Sequence, residues 1–138
     1  MSENNILVGK VIKEIYLADD KKAIRFDLDN GEIIIARCDA DCCSVTYIEN
    51  IEDPENIIGN PVTSAEDIEL NKDDGVAEDG DVLTFYGFKI KTIKGDCIVD
   101  YRNESNGYYG GWLSWPEESF YGGVNDQNVS KEEWRKVT

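Results

Sequence analysis

A chain of 138 residues is long enough for one hydrophobic core without disulfide or metal staples, and its formal charge of −15 sets it against nucleic-acid phosphates and anionic membranes. Twenty-nine acidic residues stand against 14 Lys and Arg, and no run of basic residues makes a local exception. Histidine is absent, which removes Ser–His and Cys–His nucleophilic pairs and the commonest metal ligand.

The chain opens on polar Met1-Ser2-Glu3-Asn4-Asn5, without the basic start and apolar stretch of a signal peptide. No stretch approaches the roughly 18 apolar residues of a membrane span. A cytoplasmic protein with no membrane partner is the expectation. Val11 to Leu17 reads as a first strand built around Ile12, Ile15 and Leu17, with a turn at Ala18-Asp19-Asp20-Lys21. Ala23 to Asp29 alternates strictly, placing Ile24, Phe26 and Leu28 on one face and charges on the other, the pattern of a half-buried strand. Asn30-Gly31 is a hairpin signal, because both residues tolerate positive φ. Ile33-Ile34-Ile35-Ala36 returns as a continuously apolar and therefore central strand.

Four cysteines fall at 38, 42, 43 and 97, thiols in a reducing compartment. They lack paired C-x-x-C spacing and a histidine, so burial is favoured over zinc and over a reactive thiol; no metal is expected. Val45 to Ile48 is a further short strand. Residues 49–81 form an acidic, loop-rich insertion: twelve carboxylates against Lys72 carry −11 of the total charge. Solvated loops, a phosphate-mimicking surface and a cation site remain open for it. Within it, Pro54 suits an early position of a helical turn, Val62 to Leu70 fits a strand better than a capped helix, and Asn71 to Asp81 reads as an exposed loop.

Val82 to Ile93 is the longest strand candidate, with a turn at Lys94-Gly95-Asp96 and an antiparallel return from Cys97 to Arg102. Gly111 to Trp115 is another strand, stopped by Pro116. Residues 116–138 form a polar C-terminal extension in which Phe120, Tyr121 and Trp134 are docking points and Lys131 to Val137 fits a helical turn or two. The fold expected is a single mainly β domain over 1–138, an antiparallel meander or sandwich with few short helices.

Tyr101 to Trp115 is the most informative stretch: five of its fifteen residues are aromatic, three are Gly and two are Asn. Aromatics supply flat area, glycines admit close approach to a ligand, and Asn and Arg supply directed donors. Tyr108, Tyr109 and Trp112 suit stacking on a planar group. Arg102 suits a phosphate or ring, and Asn103 and Asn106 suit a purine edge. Ser105, with Asp41 and Ser44, completes the candidate ligand site. An Asn106-Gly107 turn and core aromatics are the competing structural explanation. Asp39, Asp41 and Asp100 offer only a generic carboxylate cluster, and Gly107 to Gly111 lacks the Lys-Ser/Thr of a phosphate loop. No catalytic residue and no cofactor are expected.

Asp41-Cys42-Cys43-Ser44, the long Tyr101-Arg102-Asn103-Glu104-Ser105-Asn106-Gly107-Tyr108-Tyr109-Gly110-Gly111 motif, the Leu7-Val8-Gly9-Lys10 opening and the Ala18-Asp19-Asp20 turn together resemble a small domain family of unknown function found in phages and prophages. The resemblance covers nearly all of the first 115 residues and implies phage origin. More loosely, the chain resembles viral sponge proteins of the Thoeris anti-defense type. These are β-rich homo-oligomers that sequester nucleotide-derived immune signals without cleaving them. That resemblance implies a non-enzymatic binder of a cyclic dinucleotide or cyclic ADP-ribose type signal in the bacterial host cytoplasm, with no direct nucleic-acid contact. The alternative is an acidic mimic of nucleic acid that blocks a basic host protein through residues 49–81.

Overall fold

The structure, a computed structural model, describes residues 5–40, 44–68, 75–76, 82–105, 110–116 and 133–137. They form ten strands and one 3-10 turn: β1 Ile12–Ala18, β2 Ala23–Leu28, β3 Ile33–Ala40, β4 Val45–Glu52, the turn Pro54–Ile57, β5 Ser64–Ile68, β6 Gly75–Val76, β7 Val82–Thr92, β8 Gly95–Ser105, β9 Gly111–Ser114 and β10 Trp134–Lys136. Two antiparallel sheets result. One has the order β10-β1-β2-β3-β9; the other has the order β4-β8-β7-β5, with β6 also paired to β7.

The alternation in β2 does what its pattern predicts. Ile24, Phe26 and Leu28 are buried in the core between the sheets, while Arg25 and Asp27 face outward. In β1 the spacing from Ile12 to Ile15 breaks period 2, and a register shift between Ile12 and Glu14 absorbs the extra residue so that both side chains face inward. In β3, Ile34 joins the main core, whereas Ile35 on the opposite face is buried in a second, smaller cluster with Ala18 and Ala23. That is why this strand is apolar without alternation. The main core draws on both sheets, and Trp115 spans it, its ring 5.9 Å from Phe26 of the first and 5.0 Å from Phe88 of the second.

Turn details differ from the sequence reading. Only Gly31 of the Asn30-Gly31 pair has positive φ, at 92°; its N–H donates to the Leu28 carbonyl, and Asn30 Oδ1 accepts from the Glu32 N–H. The connection is therefore the longer loop ending in a left-handed glycine. The β7–β8 turn centres on Ile93-Lys94 rather than on 94–96, because Thr92 already pairs with Gly95. Part of the expected 71–81 loop pairs as β6. The helical turn expected over 131–137 is corrected to a strand: three residues gain more from the open edge of β1 than from an isolated turn, whose nucleation is costly. Phe120 and Tyr121 lie outside the described residues. Among those described, no helix is long and apolar enough to cross a membrane.

Candidate functional site

The long motif is the crossing between the two sheets. Tyr101 to Ser105 are the last residues of β8, a central strand of the second sheet, and Gly111 to Ser114 are β9 at the edge of the first. Strand parity sorts the predicted site residues. Cys97, Val99, Tyr101, Asn103 and Ser105 are all buried along one face of β8, so Arg102 between them faces the other way.

Asn103 has no solvent exposure, and its Nδ2 donates to Thr46 Oγ1 at 3.0 Å and Ser44 Oγ at 3.2 Å, both brought in by β4 and the residue before it. Its Oδ1 is buried and has no hydrogen-bond partner among the described residues. Turning the amide over would exchange this orphan acceptor for an orphan donor, so one end of the carboxamide is unsatisfied either way. Leaving it so costs about 1–3 kcal/mol.

Gly111 closes one side of this cluster. A Cβ there would collide with Thr46 Oγ1 and sit 3.0 Å from Asn103 Nδ2, and at Gly110 it would meet the Tyr86 hydroxyl at 3.1 Å. The glycines that suggested room for a ligand thus first make room for the protein's own polar side chains. Tyr86 stacks on Tyr101, with ring centroids 5.2 Å apart, and the Tyr101 hydroxyl donates to Asp67 Oδ1 at 3.2 Å. Burial, followed by the Asp67 charge, pushes the Tyr101 phenol well above its ordinary range. A polar seam therefore runs from exposed Asp67 on β5 through buried Tyr101, Asn103 and Thr46 to Gly111.

Arg102 stands on the outer face. Its guanidinium lies 4.7 Å from the Phe85 ring centre and 3.4 Å from buried Asp100, opposite Tyr47 in the register. Trp112 is 43% exposed on the outward face of β9, away from Gly111 and Leu113. Of the predicted residues, Asn103 and Ser44 are in contact and Ser105 lies on the same inner face; Arg102 and Trp112 are elsewhere. Asp41, Asn106, Tyr108 and Tyr109 lie outside the described residues, as do Cys42 and Cys43. Thr46, Tyr86 and Asp67 were missed, since their approach depends on non-local pairing. The inward placement of Asn103 was readable by counting in twos from Val99.

Cys38 and Cys97 are free thiols, each pushed up to about 12 chiefly by burial. Among the described residues no group of three or more Cys, Asp or Glu is placed to hold a metal.

A two-sheet antiparallel β domain with a buried polar seam at the sheet crossing is the class defined by this geometry. The chain belongs to the family described as Domain of unknown function (DUF7448), which matches residues 5–115 and so takes in β1 to β9 but not β10. No curated protein and no solved structure matches it significantly.

Proposed function

We propose that this is a phage-type, non-enzymatic binding protein. It acts in the bacterial host cytoplasm as a homo-oligomeric sponge for a nucleotide-derived immune signal of the cyclic dinucleotide or cyclic ADP-ribose type. The observation that carries the reading is the carboxamide of Asn103, buried at the sheet crossing with an unpaired oxygen. A nucleobase offers the missing partner, an exocyclic amino or ring N–H, and Tyr86 supplies an aromatic plane beside it. Cys38 and Cys97, the cysteines among the described residues, are held near 12 and are poor nucleophiles at neutral pH, which at these two positions favours capture over covalent chemistry.

The geometry shifts the recognition away from phosphate. Arg102 is already paired with Asp100 and points outward, so the base edge supplies the specificity. Because the Asn103 oxygen is sealed from solvent, a ligand reaches it only by displacing what covers it. Thermal unfolding with a panel of cyclic nucleotides tests this. A ligand at 100 times its Kd stabilises by ~2.7 kcal/mol, and the gain is lost in Asn103→Ala. Binding should vary little with salt, since charge pairing is not its source. A panel without any shift overturns the proposal.

A further inference from the structure

The outer edge of β1 is occupied by a segment that lies beyond the family's shared domain. Tyr16, Leu17 and Ala18 pair with Lys136, Arg135 and Trp134. Two further backbone bonds bracket the strand: the Asp19 N–H donates to the Glu133 carbonyl at 3.0 Å, and the Val137 N–H donates to the Ile15 carbonyl at 2.8 Å. Nearer its start, β1 is covered by residues 58–62, whose Gly59 N–H bonds the Ile12 carbonyl. The open edge is thus a slot about five residues long.

The side chains give that slot a specificity. Trp134 packs on the small cluster of Ala18, Ala23 and Ile35, where two alanines side by side leave the depth an indole needs. The Arg25 guanidinium, locked by Asp27 at 2.7 Å, lies between the Tyr16 and Trp134 rings, 4.7 and 5.8 Å from their centres. Two positions on, Lys136 Nζ meets Glu14 at 3.0 Å, and the same carboxylate accepts from the Tyr16 hydroxyl. Arg135 faces Asp19 at 3.8 Å. An aromatic pocket, a carboxylate two residues along and a sheet edge that takes up a strand are the elements by which sheets read extended peptides.

We propose that the β1 edge is a recognition slot for an extended basic peptide carrying an aromatic residue two positions before a lysine, and that residues 133–137 hold it closed as an internal competitor. The occupant's chemistry is argued from the segment now filling the slot: it carries two cations in a chain of charge −15 and sets them against Glu14 and Asp19. The contact spans only residues 133–137 and its ion pairs are partly or fully open to solvent, so it is weak of itself and is held by tethering to the same chain. A foreign strand that fills the same positions more tightly can therefore displace it.

The test uses the full chain and a labelled peptide of residues 130–138. Trp134→Ala and the charge reversal Arg135→Glu/Lys136→Glu each empty the slot, the second without touching the pocket. Both variants should bind the peptide at least tenfold more tightly than the parent, with faster amide exchange at Asp19. Peptide with Ala in place of Trp should bind at least tenfold more weakly. Equal binding by parent and variants, or indifference to the indole, overturns the proposal. So does a parent dimer dissolved by the charge reversal, which would give the slot to a second copy.

Discussion

A methyl group at Gly111 would drive into the Thr46 hydroxyl, which cannot swing away because it is buried and bonded to Asn103. Gly111→Ala should cost about 2 kcal/mol or more, read as a lowered denaturant midpoint without loss of the slope. The partners it would displace are themselves separable. Thr46→Val alone strips Asn103 of an acceptor and should cost about 1–3 kcal/mol, whereas Thr46→Val with Asn103→Leu removes the polar cluster as a unit and should be nearly neutral. A double variant that is stable yet blind to every ligand would mark the seam as kept for binding. One that unfolds would mark it as architecture.

At the scale of elements, the β7–β8 hairpin shows how closely a turn can be fastened. Gly95 adopts φ 145°, and a Cβ there would press on the Asn56 side chain, whose Nδ2 bonds the Asp96 carbonyl. Thr92 Oγ1 donates to the Asn56 carbonyl and accepts from the Lys94 N–H. Gly95→Ala should therefore lower stability by more than 1 kcal/mol, while the exposed Ile93, 86% accessible, should accept Lys within about 0.5 kcal/mol. Chemical denaturation of the two variants side by side checks the contrast. The strands of this hairpin were legible because Val, Leu, Thr, Phe, Tyr and Ile fill eight of the eleven positions of β7. Its turn was misplaced because glycine drew attention away from the tighter Ile93-Lys94 pair. The same logic divides the rest of the chain. Alternation in β2 and unbroken apolarity in β3 announce their burial, whereas β10 has three residues, no period, and a reason to be extended only once β1 exists. At the site, residue types pointed to Asn103 and Arg102 together, but neighbours on a strand face opposite ways. Thr46 arrives through register with β8, which no local pattern encodes.

Over the whole molecule, two buried acids and one partly buried acid set an alkaline limit. Cys38 and Cys97 are raised from an ordinary 9 to about 12, and Tyr101 is raised above 10 by burial and Asp67. Each holds its proton in the folded chain after the unfolded chain has lost it. Their stabilising effect is therefore complete below pH 9 and drains away as pH climbs toward 12. Denaturant midpoints should be level from pH 7 to 9 and fall beyond it. Cys38→Ala/Cys97→Ala should delay the onset toward the phenol's range, and an unchanged onset would remove the thiols from the account.

The edges of the first sheet carry a consequence in time. Its three middle strands are complete by Ala40, yet the strands that close its two sides begin at Gly111 and Trp134. During synthesis the β1–β2–β3 meander therefore waits, both flanks unpaired, for the time needed to make some seventy to ninety further residues, several seconds at ribosomal speed. Exposed flanks of that kind recruit other strands. The acidic stretch made in that interval would give nascent chains a like charge with which to repel one another before the flanks are sealed.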